Sequence, residues 1–132
     1  MTASEYFEMY HLILKTISNN SNISMQGLIN EIGNKEELGI KLAQEDSKRF
    51  VDVLVEIMEN LIDDDLVKGN CRDVKFSHPL IDINHLTTSG YSYLSCLEKP
   101  DFKTKAKNIL KEEGIPMTPT SIGKVIARLS FD

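Results

Sequence analysis

The stretch "IDINHLTTSGYSYLSCL", residues 81–97, changes period halfway along. Ile81, Ile83 and His85 alternate with Asp82 and Asn84, the two-residue period of a half-buried strand. Thr87 then suits a helix N-cap, because its hydroxyl accepts a backbone N–H that the first turn leaves unpaired. Counted from that cap, Leu86 and Tyr91 occupy the two positions of a hydrophobic staple. Tyr91, Leu94 and Leu97 fall on one helical face, with Tyr93 alongside. A strand therefore runs straight into a capped helix, and the rest of the chain must supply their partners.

Upstream lies the clearest periodic segment, "DSKRFVDVLVEIMENLIDDD", residues 46–65. Its apolar positions from Phe50 to Ile62 span roughly 200° of a helical wheel, leaving Lys48, Arg49, Asp52, Glu56, Glu59 and Asp63 on the other face. An arc that wide predicts burial from two sides, either as a central core helix or as one that also supplies a dimer interface. Leu66-Val67-Lys68 and Val74-Lys75-Phe76 read as short strands around the turn-forming "GNCRD", and Pro79 disfavours a central strand.

Further upstream, Tyr6, Met9, Tyr10, Ile13, Leu14 and Ile17 form one apolar stripe over about residues 4–18. "SNNSNIS" (18–24) breaks it, and Ser24 caps a short helix, "MQGLINEIG", that stops near Gly33. "NKEELGIKLAQED" (34–46) has no clear period and leaves room for another helical turn. Downstream, a helix "PDFKTKAKNILKEEG" carries Phe102, Ala106, Ile109 and Leu110 and ends at Gly114. Thr118 as N-cap with Pro119 behind it opens a last helix striped by Ile122, Val125, Ile126 and Leu129. No internal repeat is present.

Helix, helix, long helix, short strands, then a strand entering a helix is the order of a winged helix-turn-helix. The expected fold is mainly α (α+β), with a short β wing and two extra C-terminal helices. It forms a single domain over 1–132, core 4–98 and extension 100–130. "DDDLVKGN" before the wing and "HLTTSGYSYL" after it resemble motifs of many bacterial winged helix proteins. "FKTKAKNILKEEGIPMTPTSIGKVIARL" is similar to an uncharacterised winged helix family of bacteria and their phages. The resemblance covers roughly 46–129 and implies a fold and a mobile-element origin, with no catalytic residues. Residues 33–45 depart from it as an insertion.

Composition narrows the classes. No apolar run approaches the ~20 residues that span a bilayer, and "MTASEYFEMY" lacks the basic region and cleavage site of a signal peptide. With Cys71 and Cys96 as the two cysteines, the chain reads as cytoplasmic with free thiols. Residues 1–66 hold five Lys/Arg against thirteen Asp/Glu, whereas residues 67–132 hold ten against seven. A polyanion would meet the second half, and a basic partner the first.

No phosphate loop, Cys-x-x-Cys pair or His-Glu-x-x-His motif is present, so the chain reads as non-enzymatic and without a cofactor. Cys71, His78, His85 and Cys96 match no compact zinc spacing, and the carboxylates of "IDDDL" point different ways from a helix end. For duplex DNA, the long helix offers Gln44, Ser47, Lys48 and Arg49 near its start, with Lys41 just before. The wing adds Lys68, Arg72 and Lys75. Lys103, Lys107 and Lys111 form a second basic face at i,i+4 spacing. These residues make a DNA-binding transcriptional regulator the leading expectation, as a homodimer reading two half-sites. The alternative is a protein-interaction module, adaptor or inhibitor, using the acidic face of Asp52, Glu56, Glu59 and Asp63.

Overall fold

The computed structural model describes every residue except Phe76, Met117 and Asp132. Its elements run α1 (Ala3–Asn19), α2 (Met25–Lys35), α3 (Glu37–Glu45), α4 (Ser47–Asp63), β1 (Val67–Arg72), β2 (Leu80–Leu86), α5 (Thr88–Leu97), α6 (Phe102–Glu113) and α7 (Pro119–Phe131).

Thr2 opens α1 with a capping box: its hydroxyl accepts the Glu5 N–H at 3.1 Å, and Glu5 Oε1 accepts the Thr2 N–H at 2.9 Å. The expected stripe of α1 is wholly buried, and Phe7 and Leu12 join it. The helix thus forms the centre of the core, packed against α2, α3, α5, α6, α7 and β2.

Ser24 caps α2 as expected, accepting the Gly27 N–H at 2.9 Å, but the helix continues past Gly33 to Lys35. Gly33 does not stop it because the Phe50 ring packs against that point from α4. The ambiguous segment that follows is a full helix, α3. Its N-cap Glu36 makes no side-chain capping bond, so no local signal marks its start. What holds it is close approach to α2: a Cβ on Gly39 would collide with the Ile32 carbonyl.

Asp46 caps α4 by accepting the Arg49 N–H at 3.1 Å. The wide apolar arc is core: Phe50, Val53, Leu54, Val55, Ile57, Met58 and Leu61 are buried, with α3, β1 and α7 packed against the helix. Most of the arc is therefore covered within one chain, with Val51 and Ile62 half-buried at one flank.

The wing is an antiparallel pair in which Asn70 faces Asp82 and Cys71 faces Ile81. "GNCRD" is not its turn. Residues 69–72 lie inside β1, and the chain reverses over 73–79, because cross-strand pairing outweighs their local turn preference. Val74 and Lys75 belong to that loop, and Phe76 of the expected second strand lies outside the described residues. The register steps from Lys68↔His85 to Gly69↔Ile83, which leaves Asn84 without a partner on β1. This bulge turns His85 outward, away from Ile81 and Ile83, and brings Leu86 inward. The Asn84 carbonyl accepts the Asn22 N–H at 2.6 Å, joining the α1–α2 turn to the sheet.

Thr87 caps α5 as expected, accepting the Gly90 N–H at 3.1 Å and donating its hydroxyl to the Asp65 carbonyl at 2.7 Å. Tyr91, expected in the staple and on the buried face, is 53% exposed. Gly90 lies so close to the Leu66 carbonyl that a Cβ would collide with it. That contact rotates α5 to bury Tyr93, Leu94, Cys96 and Leu97 instead.

Helix α6 buries Phe102, Ala106 and Leu110, with the Phe102 ring edge-on to Phe7 at 5.6 Å between centroids. Thr118 caps α7, accepting the Ser121 N–H at 3.3 Å, and Ile122, Val125 and Ile126 are buried. Two tyrosines hold the start of α7: Tyr10 donates to the Pro119 carbonyl at 2.7 Å and Tyr93 to the Gly123 carbonyl at 3.4 Å. Burial pushes the Tyr93 hydroxyl up to about 12, and that of Tyr10 higher still. The architecture is mainly helical and winged-helix-like, with a two-stranded wing and two helices beyond α5.

Candidate interaction face of α4 and the wing

Spacings of four, three and four place residues 52, 56, 59 and 63 on one face of a helix. In α4, Asp52, Glu56 and Asp63 are exposed there and Glu59 is half-buried, opposite the apolar arc. Asp73, just past β1, approaches the same face. Burial first, then Asp73, Asp63 and Glu56, hold the Glu59 carboxyl above its usual range. Cys71 on β1 borders this group, and burial followed by Glu59, Asp63 and Asp73 pushes its thiol up. Such a thiol stays protonated and is a poor nucleophile. His78 Nε2 lies 2.7 Å from Asp52 Oδ1, so the wing loop returns to the helix at its second turn. Among the described residues, no lysine, arginine or histidine forms an ion pair with Glu56, Glu59 or Asp63.

The cations considered for DNA fall into separate groups. Lys48 and Arg49 are exposed on the first turn of α4, with Gln44 and Ser47 exposed beside them. Lys41 Nζ is 3.2 Å from Glu5 Oε2 on α1. The Thr2 N–H first, and Lys41 second, hold the Glu5 carboxyl below its usual range. On β1, Gly69 and Cys71 face α4, so alternation turns Lys68 and Arg72 to the opposite, exposed face. Arg72 approaches Asp82 there at 4.0 Å, and Lys75 is exposed in the wing loop. On α6, Lys103 is 3.8 Å from Glu8, and Lys107 and Lys111 continue the exposed row.

Asp73 was not singled out from sequence, and His78 was weighed there only as a zinc ligand. Each reaches α4 across a reversal of the chain, and no spacing signals such a contact. Among the described residues, no three His, Cys, Asp or Glu side chains are arranged to hold a metal ion. Nor is any helix among them long and apolar enough to cross a membrane. No protein-family model matches the chain, and no curated protein or solved structure matches it. The class is thus defined by the fold itself: a winged-helix-like protein in which α4 precedes the wing.

Proposed function

We propose that this chain is a winged-helix protein-interaction module, of the mobile-element type its motifs resemble, which binds a basic partner through the α4 face. One observation carries the reading. The helix that would enter a major groove presents four carboxylates without an ion-paired arginine or lysine, joined by Asp73 from the wing. Phosphates would be repelled by that surface, whereas lysines and arginines of a protein would be drawn to it.

A second reading, a homodimeric DNA-binding regulator, is favoured by Lys48 and Arg49 standing exposed where such helices contact base edges. Its dimer would use what remains accessible of the α4 arc and the α7 stripe, the half-buried Val51, Ile62 and Leu129, or another surface. Fluorescence anisotropy with labelled duplex DNA at low and near-physiological salt separates the two. The interaction module is expected to show no binding at either salt. A salt-sensitive affinity that Lys48→Glu with Arg49→Glu abolishes, in a protein still folded by circular dichroism, overturns it in favour of the regulator.

A further inference from the structure

Three hollows meet where α1, α3 and α4 come together, and they share walls. One of about 150 Å³ over Leu42, Phe50 and Val53 shares Glu5 and Lys41 with a wider hollow reaching Leu38, Glu37 and Lys103. At its other end it shares Asp46, Arg49 and Val53 with a hollow that opens at Asp52 and Glu56. Side by side, the three hollows make a broken groove from the acidic face to the first half of α1, interrupted at the Glu5–Lys41 pair. Leu38, Leu42, Phe50 and Val53 give it an apolar floor.

The rim is predominantly acidic, with carboxylates along its whole length from Glu8 and Glu37 to Asp52 and Glu56. Lys41 pairs with Glu5 at 3.2 Å and Lys103 with Glu8 at 3.8 Å, which leaves Glu37, Glu45, Asp46, Asp52 and Glu56 on the rim against Lys48 and Arg49. The Glu5–Lys41 pair joins α1 to α3 at the middle of the groove. A cation arriving from outside would compete with Lys41 for Glu5.

We infer that this groove receives a basic amphipathic segment of the partner protein. Apolar side chains of the segment rest on the floor beside Leu42 and Phe50, and its lysines or arginines meet the rim carboxylates. The inference rests on the protein-interaction reading and extends it by naming the partner's chemistry and the place of its apolar anchor.

The test uses a fluorescein-labelled helical peptide of leucine and lysine, about 16 residues long with one apolar face. A second peptide of equal charge has glutamine in place of leucine. The full chain is expected to bind the leucine peptide at least tenfold more tightly. Glu37→Lys with Glu45→Lys, both exposed on α3, should weaken it at least fivefold. Lys41→Met should tighten it severalfold, while Lys124→Met, the same charge change on α7, should not. Equal binding of both peptides, or no difference between the Lys41 and Lys124 variants, overturns the groove. If Glu56→Lys with Glu59→Lys abolishes binding while the α3 variant leaves it intact, the groove falls and the acidic face stands. Absence of binding by either peptide removes both. Self-association in sedimentation that the α3 variant abolishes gives the groove to a second copy and likewise overturns the proposal.

Discussion

Helices α1 and α4 are each 17 residues long, and the fold uses them in opposite ways. Eight residues of α1 are buried, and its charged side chains are met by neighbours: Glu5 by Lys41, Glu8 by Lys103, and both His11 and Lys15 by Glu98. Helix α4 buries an equally continuous arc, but of its four face carboxylates only Asp52 has a lysine, arginine or histidine within ion-pair distance among the described residues, the His78 ring at 2.7 Å. One helix is complete within the chain. The other is complete on its core side, while Glu56, Glu59 and Asp63 on its outer face have no ion-pair partner among the described residues.

That contrast is broken most forcefully from the α1 side. Ile13 is fully buried, so Ile13→Ala should destabilise the protein by about 2–5 kcal/mol in urea titration, through lost transfer energy and the cavity left behind. Glu56→Ala on the α4 face should stay within ~0.5 kcal/mol of the parent. Comparable losses at both positions would mean that α4's outer face also supports the core.

A smaller effect tests how α1 grips the end of the chain. Tyr10→Phe removes the hydroxyl's bond to the Pro119 carbonyl, which keeps its place in the α7 ladder, so the cost should be the net value of one hydrogen bond, about 0.5–1.5 kcal/mol. The loss should be concentrated in α7, whose amide protons should exchange faster with solvent than those of α4. Uniform acceleration along the chain would show that α7 is not held separately by this bond.

The helical stripes of α1, α4 and α7 were legible because local period, cap and apolar face agree in each. Helix α3 was not, since neither its cap nor its composition announces it and Gly39 is placed there for contact with α2. Wing residues 69–72 have turn chemistry yet pair with β2, and the Asn84 bulge that turns His85 outward leaves no mark in a two-residue alternation. The carboxylate face itself could be read from spacing alone. Its surroundings could not: Lys41 meets Glu5 across 36 residues and His78 meets Asp52 across 26, distances over which sequence has no period.

The smallest expected effect bears directly on the unmatched face. Glu59 is half-buried among Asp73, Asp63 and Glu56, and burial first, then those charges, hold its carboxyl above the usual range. A carboxyl with a raised folded pKa binds its proton more tightly in the folded state, so its charge opposes folding only once pH has risen through that value. This opposition is absent below the ordinary glutamate pKa of ~4.3 and fully present above the raised one. Glu59→Gln should therefore be more stable than the parent by a few tenths of a kcal/mol at neutral pH, the scale of like-charge helical pairs. The difference should vanish as pH falls toward ~4, measured by urea midpoints across the range. Basic peptide added at neutral pH should shrink the same difference, because it supplies the parent with the counter-charge that the variant no longer needs. A parent already as stable as Glu59→Gln at every pH would mean that neither burial nor the neighbouring carboxylates set a cost on the Glu59 charge, and α4 would then be no less complete than α1.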